Sequence, residues 1–299
     1  MIDLKTAVKI LALYKLIKNN EWLVRDLAWE IGVRENMLVE AIRDLSKNYL
    51  ITMDNNHIVW NPADIPSKLK PWGWELVHEP ILGSTQEAAR GLGPWSIVVA
   101  EYMFMGRGRH GKEWKTGLGG LWVTFKISTN AETAALMPII VPVILTRILR
   151  TSLDINARIK WPNDIVVNGK KLAGILIEAE AFRNKMIIYI GIGMNVNNEP
   201  PLETAVSIKQ IKGMTPRNKL LSMMIGWISR AKKLAEEPEK LREQYLEYLD
   251  TLNKVVTAKT REGIIQGVAV DVNDLGYLVL ETEDGRKILD PTITYEVRY

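Results

Sequence analysis

Apolar residues recur at helical spacing at the start of the chain and then change to short strand-like runs. AVKILALYKLI at residues 7–17 predicts one helix, and residues 22–47 predict two more that separate at Gly32. Residues 49–60 form two apolar runs around Asp54-Asn55-Asn56, which is typical of a β-hairpin. The pattern therefore predicts three short helices followed by a hairpin.

Helices that join through a tight glycine turn and end in a hairpin resemble a winged helix-turn-helix domain. Its candidate recognition helix carries Arg34, Asn36 and Arg43, which are the candidate DNA contacts. The same helix also carries Glu40 and Asp44, so it has no excess of the Lys and Arg that DNA phosphates attract. DNA binding and protein binding therefore stay open as alternatives for this domain.

Residues 61–74 contain three prolines and little periodicity, which is typical of a connector. From there to residue 250, strand and helix patterns alternate. The predicted strands are 96–103, 118–128 and 185–196, the predicted helices are 136–153 and 217–250, and residues 165–181 form a hairpin on Asn168-Gly169.

The last 45 residues read as short strands that turns separate, at 264–272, 277–282 and 286–290. A barrel of this size is small for an independent domain, so we expect it to lean on a neighbour. The pattern as a whole predicts an α+β protein with domains at 1–65, 75–250 and 255–299.

The amino-acid composition excludes several kinds of catalytic and metal site. The 299 residues include no cysteine and three histidines, which excludes disulfides, thiolate nucleophiles and cysteine-type metal sites. The net charge of +4 is uneven, because residues 66–254 hold 26 basic and 18 acidic side chains. A basic central region suits an anionic small molecule or an acidic partner, although a solvated surface gives the same count. Neither a signal peptide nor a membrane span is predicted, so we expect a cytoplasmic protein.

The segment GRGRHG at residues 106–111 is the first that carries chemistry. Its three glycines allow sharp turns and expose backbone N–H groups, and Arg107, Arg109 and Lys112 add positive charge. A solvated basic turn or an RNA-binding segment is the competing interpretation. Because the loop follows a buried strand, we favour a cradle for phosphate or carboxylate.

Three later segments add candidates. In KWPND, Asp164 could hold Mg²⁺ or only accept bonds within a turn. In KKLAGILIE, Lys171 could reach an anionic substrate or extend into solvent. In GIGMNVN, the glycines permit a flat ligand to approach and Asn195 offers an amide. The last is not a dinucleotide fingerprint, since its spacing is wrong and no helix follows.

Taken in this order, GRGRHG, KWPNDI, KKLAGILIE and GIGMNVN resemble the biotin protein ligases over nearly the whole chain. The leading LGSTQ looks like the family's Ser-Thr-Asn segment. The resemblance implies a class II synthetase-like mixed α/β catalytic domain and an SH3-like C-terminal β-barrel. With the winged helix in front, it implies the bifunctional type that is both ligase and biotin-responsive repressor.

The resemblance also implies the reaction and its residues. ATP and biotin would form biotinyl-5′-AMP. A lysine of a biotin carboxyl carrier protein, an acyl-CoA carboxylase subunit, would then accept the biotin. Asp164 would hold either Mg²⁺ or this attacking lysine. Catalysis would fall to Lys171, Asp164 and Arg107, and the adenylate would contact Arg107, Arg109, Lys171 and Asn195. The implied biotin-binding residues are Ser84, Thr85, Gln86, Arg107, Gly108, Arg109, Lys171, Gly174 and Leu176.

Two departures from the family pattern concern the biotin site. Gln86 replaces an Asn, a change of one methylene. Met103 stands where the family usually has Gln, and a thioether cannot donate a hydrogen bond. We expect Met103 to alter the affinity for biotin.

Two other functions compete with an active ligase: a ligand-sensing DNA-binding regulator with reduced catalysis, and a lipoate–protein ligase of the same fold. The family also implies a homodimer that can bind a DNA operator through residues 1–65. Since no chemical motif precedes the connector, we expect a chain without residues 1–65 to keep ligase activity.

Overall fold

The computed structural model describes residues 3–299, which form two compact units. The first unit comprises the residues up to Arg107, Glu113–Ile127 and Tyr189–Met223, and the second comprises Gly108–Lys112, Ser128–Ile188 and Met224–Tyr299.

The described residues contain nine helices and fifteen strands. The helices are α1 Leu4–Lys18, α2 Val24–Ile31, α3 Glu35–Leu45, α4 Thr85–Arg90, α5 Ala131–Leu153, α6 Ile208–Lys212, α7 Arg217–Ile228, α8 Ala231–Ala235 and α9 Pro238–Tyr248. The strands are β1 Glu21–Leu23, β2 Ile51–Asp54, β3 His57–Trp60, β4 Glu75–Glu79, β5 Ser96–Ala100, β6 Leu121–Thr129, β7 Arg158–Lys160, β8 Asp164–Val167, β9 Lys170–Phe182, β10 Lys185–Met194, β11 Val255–Thr260, β12 Gly263–Val272, β13 Leu278–Thr282, β14 Gly285–Leu289 and β15 Thr294–Arg298.

The three predicted N-terminal helices and the hairpin are confirmed as α1 to α3 and β2–β3. Asp3 caps α1, because its side chain accepts a hydrogen bond from the Thr6 backbone N–H at 2.9 Å. Gly32 ends α2 in the left-handed conformation, with φ of 71°. The pattern missed β1, a three-residue strand that makes the sheet order β1-β3-β2.

In the first unit, β4 pairs with β5 in parallel and β5 pairs with β6 in antiparallel. In the second, β7, β8 and β9 are antiparallel, and the predicted turn is present with Asn168 and Gly169 both at positive φ. The C-terminal strands form an antiparallel sheet in the order β14-β13-β12-β11-β15. The sequence interpretation missed β11 and β15, which pair with each other.

Helix α5 is the apolar helix that the pattern predicts, but it begins at Ala131, so Pro138 and Pro142 lie inside it rather than near its start. Asn130 caps it by accepting a hydrogen bond from the Thr133 N–H at 2.9 Å. By length and composition, α5 is the single described helix that could cross a membrane. Two thirds of its apolar window is buried inside the fold, as in the core helix of a globular protein.

A buried ionic network in the first unit is the largest difference from the sequence interpretation. The Arg217 side chain is fully buried, and its Nε lies 2.9 Å from Asp64 Oδ1 while its Nη1 lies 2.6 Å from Glu101 Oε2. His78 Nε2 lies 2.6 Å from Glu101 Oε1. Burial by itself would raise the pKa of the Glu101 carboxyl, but Arg217 and His78 outweigh it and lower the pKa to about 2. Glu101 is therefore ionised and paired.

This network joins the N-terminal helices to the strand ends of the first unit. Asp64 Oδ2 also accepts hydrogen bonds from the Leu50 N–H and the Trp60 indole N–H, both at 3.1 Å. The Gly119 N–H donates to the Tyr49 hydroxyl at 2.9 Å. Asp64 lies in the stretch 61–74, which contains two short 3-10 turns, at Pro62–Asp64 and Pro66–Lys68. The predicted connector thus includes a carboxylate of the buried core.

Candidate active site

Three of the candidate biotin residues lie together at the start of α4. Ser84 caps the helix, and its Oγ accepts a hydrogen bond from the Gln86 N–H at 3.2 Å. The Thr124 hydroxyl lies 2.9 Å from Thr85 Oγ1 and 3.2 Å from Gln86 Oε1. Gln86 Nε2 donates to the Tyr189 carbonyl at 3.4 Å. Ser84, Thr85 and Gln86 are therefore buried in one polar cluster that fixes the Gln86 amide.

Met103 borders this cluster. The Thr85 N–H points at its sulfur, with an N···S distance of 3.3 Å. Its main chain is held by Thr116, whose hydroxyl accepts from the Met103 N–H at 3.1 Å and donates to the Met103 carbonyl at 2.8 Å. The side chain packs with Ala100 and Trp122. The thioether therefore serves as an apolar wall and a weak acceptor, a role that needs no hydrogen-bond donor.

The backbone of the glycine-rich loop requires glycine at two positions, Gly106 and Gly111. A Cβ on Gly106 would lie 2.4 Å from the Trp114 carbonyl oxygen, so no side chain fits there. The Gly108 N–H donates to the Lys112 carbonyl at 2.7 Å, and Gly111 has φ of 71°. Arg107 is exposed, with Nη1 3.2 Å from Glu87 Oε1. This first arginine is thus a surface cation that pairs with an exposed carboxylate.

The second arginine of the loop is held differently. Arg109 is half-buried and donates from Nη1 to Asn163 Oδ1 at 3.3 Å and from Nη2 to the carbonyls of Pro291 and Thr294. Burial lowers the pKa of its guanidinium, and Asp164 and Asp290 act in the opposite direction. The loop's link to β15 is reinforced by Lys112 Nζ, which donates to the Tyr295 carbonyl at 3.0 Å.

The second unit brings the other candidate catalytic residues together on β8 and β9. Lys171 Nζ lies 2.8 Å from Asp164 Oδ1, an ion pair whose angles are not those of a hydrogen bond. Asp164 is opposite Gly174 in the strand register. Ile165 is opposite Ala173, but the next residue, Val166, is opposite Lys171. Leu172 is therefore an extra residue that forms a β-bulge in β9. Leu176, the other candidate on β9, is half-buried.

The two lysines at the start of β9 differ in their surroundings. Lys170 is exposed and pairs with Val167 across the hairpin, whereas the Lys171 side chain is 36% exposed and meets a carboxylate. Successive strand residues point to opposite faces, and this separates the two cations. Lys171 is thus the lysine that shares a face with Asp164.

Asn195, at the end of β10, is almost fully buried in the first unit. Its Oδ1 accepts a hydrogen bond from Asn198 Nδ2 at 2.9 Å. Gly193 does give close approach to a flat group, but that group belongs to the protein, since a Cβ there would lie 2.5 Å from the Trp114 indole. The sequence interpretation did not identify Trp114 as the ring that Gly193 accommodates.

The candidate DNA contacts Arg34, Asn36 and Arg43 are exposed on or beside α3. Asp44, on the same helix, lies within 3.1 Å of Lys5, Lys9 and Lys47. Its charge is therefore balanced by neighbouring lysines.

A metal would find one carboxylate among the candidate residues. Within residues 3–299, no three His, Cys, Asp or Glu side chains are grouped as a metal cluster. That carboxylate belongs to Asp164, which pairs with Lys171. That suits a Mg²⁺ ion that arrives with phosphate oxygens, because Mg²⁺ commonly takes one or two protein carboxylates and completes its shell from substrate and water.

Comparison with known proteins agrees with this arrangement. The sequence model of the biotin/lipoate A/B protein ligase family matches residues 87–195, and that of the biotin protein ligase C-terminal domain matches residues 251–291. The bifunctional ligase/repressor BirA of Bacillus subtilis is 27% identical over 274 residues, which cover 85% of this chain and 83% of that protein. The biotin–[acetyl-CoA-carboxylase] ligase of Paracoccus denitrificans is 28% identical over 218 residues, 67% of this chain and 90% of the other.

A solved structure gives the same result for the fold. The biotin protein ligase of Aquifex aeolicus, in complex with biotin and ATP, superposes with a TM-score of 0.64 at 26% identity and covers 75% of this chain and 98% of that one. The match over residues 87–195 includes the glycine-rich loop, Asp164 and Lys171. The match over residues 251–291 includes Pro291, whose carbonyl accepts from Arg109. The chain thus contains a catalytic domain of the biotin/lipoate A/B protein ligase family and a biotin protein ligase C-terminal domain, and it is homologous to BirA over 85% of its length.

Proposed function

We propose that this protein uses ATP to attach biotin to a lysine of a biotin carboxyl carrier protein through biotinyl-5′-AMP. The observation that carries the proposal is the Lys171–Asp164 pair on β8 and β9, with Arg109 and Asn163 in the same unit. Adenylation brings a carboxylate against a phosphate, so it needs preorganised positive charge at the reacting atoms. The match to a C-terminal domain named for biotin protein ligases favours biotin over lipoate.

The chemistry runs in two displacements. An oxygen of the biotin carboxylate attacks the α-phosphorus of ATP, the bond to the bridging oxygen breaks, and pyrophosphate leaves with that electron pair. The carrier lysine, as a neutral amine, then attacks the acyl carbon, an amide forms, AMP leaves and the amine proton is lost. In this proposal Lys171, Arg107 and Arg109 stabilise charge on the phosphate, and Asn195 contacts the adenine.

The polar cluster at α4 serves biotin in this proposal. Ser84, Thr85 and Gln86 are the biotin-binding residues proposed in the first unit, and Gly108, Gly174 and Leu176 are those proposed in the second. The thioether of Met103 supports an apolar wall beside the cluster. Biotin's apolar rings suit such a wall, and the buried hydroxyls supply the few polar contacts that a small-molecule site requires.

The experiment that tests the function measures pyrophosphate release from ATP with biotin and, separately, with lipoate. Release with biotin, followed by transfer to a carrier domain, supports the ligase. Release with lipoate alone would assign the chain to the other branch of the matched family.

The second candidate function rests on the N-terminal region. We propose that residues 1–65 are a winged helix-turn-helix that binds a DNA operator through Arg34, Asn36 and Arg43, and that β11 to β15 form an SH3-like barrel. The similarity to proteins named ligase/repressor supports the first of these. A gel-shift with and without biotin, at stated salt, tests it. A regulator without ligase activity would shift DNA but release no pyrophosphate. A cytoplasmic homodimer completes the proposal, and sedimentation tests the dimer.

Mg²⁺ is proposed to bind at Asp164, where it would offset phosphate charge. We expect Asp164→Asn to raise the Mg²⁺ concentration for half-maximal pyrophosphate release by at least about tenfold, because the single protein carboxylate would be lost. The exposed Asp284→Asn is the matched control. An unchanged Mg²⁺ requirement in Asp164→Asn would remove the metal role from this residue.

Arg107→Ala is expected to leak free biotinyl-AMP into solution. Arg107 has one exposed partner, Glu87, so it can exchange that carboxylate for a bound phosphate without breaking a buried contact. Without the cation, the intermediate is held less firmly away from water. The measurement is the fraction of adenylate that stays on the protein after rapid gel filtration. Equal retention in Arg107→Ala and the unsubstituted protein would contradict the expectation.

A further inference from the structure

Asn163 is bonded to two elements that carry candidate site residues, and no role has been assigned to it so far. It follows β7 and precedes β8. Its Nδ2 donates to the Ile175 carbonyl at 2.7 Å, and its own carbonyl accepts from the Ile175 N–H at 2.9 Å. Its Oδ1 accepts from Arg109 Nη1 at 3.3 Å. One side chain thus ties the glycine-rich loop to β9, between Gly174 and Leu176.

The two partners require one and the same orientation of the amide. A main-chain carbonyl can only accept, so the NH₂ group of Asn163 must face Ile175. A guanidinium can only donate, so the remaining oxygen must face Arg109. Neither Asp nor a hydroxyl residue provides this donor and acceptor at the same spacing.

Three oxygen acceptors of Arg109 are neutral: the Asn163 amide oxygen and the carbonyls of Pro291 and Thr294. Its Nη2 also lies 3.3 Å from His110 Nε2. Asp164 and Asp290 act on the guanidinium only through longer-range charge. A carboxylate bonded directly to an arginine cancels its charge, whereas carbonyl oxygens fix its direction and leave the charge available to an anion. Arg109 is therefore oriented by neutral oxygens, while Asp164 and Asp290 act on its charge only at longer range.

We propose that Asn163 is a positioning residue for the ligase reaction, which holds Arg109 in register with β9 so that the guanidinium meets the phosphate of biotinyl-5′-AMP. The inference rests on the proposed function. Asn163 does not touch the reacting atoms in this role but acts through Arg109. Its requirement is a neutral acceptor toward Arg109 together with a donor toward Ile175.

The test is a double-mutant cycle with Asn163→Ala, Arg109→Ala and the double variant, and the readout is the rate at which biotinyl-AMP leaves the protein. We expect Asn163→Ala to speed release by about tenfold, in the range for a lost hydrogen bond to a charged group. If Asn163 acts through Arg109, the double variant releases adenylate no faster than Arg109→Ala alone. Effects that multiply in the double variant would overturn the proposal.

Two further variants separate positioning from packing. Asn163→Asp keeps the shape of the side chain but places a charge on Arg109 and an acceptor against the Ile175 carbonyl. We expect it to release adenylate at least as fast as Asn163→Ala, while near-normal retention would show that shape alone matters and would also overturn the proposal. Asn156→Ala is the matched control, because Asn156 accepts from Arg150 in the same unit, away from the candidate residues. Its retention should equal that of the unsubstituted protein.

Failure of the underlying function is distinguishable in the same experiment. If the unsubstituted protein forms no biotinyl-AMP from biotin and ATP, the proposed function and this inference both fall. If it forms and retains the adenylate but the cycle is additive, only the role of Asn163 falls.

Discussion

A chain that lacks residues 1–65 is expected to be strongly destabilised and to lose ligase activity, contrary to the expectation from sequence. Truncation removes Asp64, one of the two carboxylates that pair with the buried Arg217. It also removes the Tyr49 hydroxyl that accepts from the Gly119 N–H, and it uncovers Leu118, which packs against the N-terminal core. In the truncated chain, Arg217 would lose one of its carboxylate partners, and Leu118 would be exposed to water. Both changes would destabilise the first unit.

The substitution Asp64→Asn isolates the electrostatic part of this effect in the full chain. Breaking a buried ion pair by removing one partner costs roughly 3–5 kcal/mol, since the remaining charge stays buried. We expect a large fall in the thermal unfolding midpoint, measured by circular dichroism, for Asp64→Asn. Asp26→Asn is the control, because Asp26 is an exposed side chain that pairs with the exposed Arg25 and should give a much smaller shift. A truncated chain that unfolds cooperatively at the full-length midpoint, and still releases pyrophosphate, would contradict the expectation.

Lys171→Ala is expected to slow adenylate formation by about 10²–10³-fold, the range for loss of one preorganised group that stabilises transition-state charge. In the ground state Lys171 pairs with Asp164 at 2.8 Å, so the carboxylate fixes its Nζ on one face of the hairpin. As the biotin carboxylate approaches the α-phosphate, negative charge builds up on the phosphate oxygens. A cation held nearby lowers the energy of that state more than the energy of bound substrates.

Lys170→Ala is the matched control for this prediction. Lys170 adjoins Lys171 in sequence, is exposed, and pairs with Val167 across the turn. Single-turnover pyrophosphate release at saturating ATP and biotin should be near normal for this variant. Equal defects in the two variants, or a larger one in Lys170→Ala, would refute the role of Lys171 and the strand register that supports it.

The elements with strong local patterns were predictable. The helices α1 to α3, the hairpin β2–β3 and the turn at Asn168-Gly169 each follow from short-range signals, because period and turn chemistry act over a few residues. The lysine alternation at the start of β9 was predictable for the same reason. Strands β1 and β15 were missed, because each pairs with a strand distant in sequence. Strand β11 was missed as well, although it also forms a hairpin with β12.

For the candidate site, the residue types could be predicted from the sequence, whereas their contacts could not. Its chemical types follow from the sequence, since glycines around two arginines, an Asp after Pro-Asn and a lysine at a strand start each carry a meaning without coordinates. Their partners do not. That Arg109 donates to the carbonyls of residues 291 and 294, and that Asn163 bridges it to Ile175, depends on contacts across 12 to 185 positions.

The family, the elements with strong local patterns and the candidate site residues could be predicted from the sequence, because they reside in short-range patterns and motifs. Which carboxylate meets which cation depends on the tertiary fold. Arg217 and Asp64 are 153 positions apart, and neither is distinguished by its neighbours. Their pairing arises because a guanidinium enclosed on all sides must find carboxylates within the fold, and the fold alone determines which ones are near.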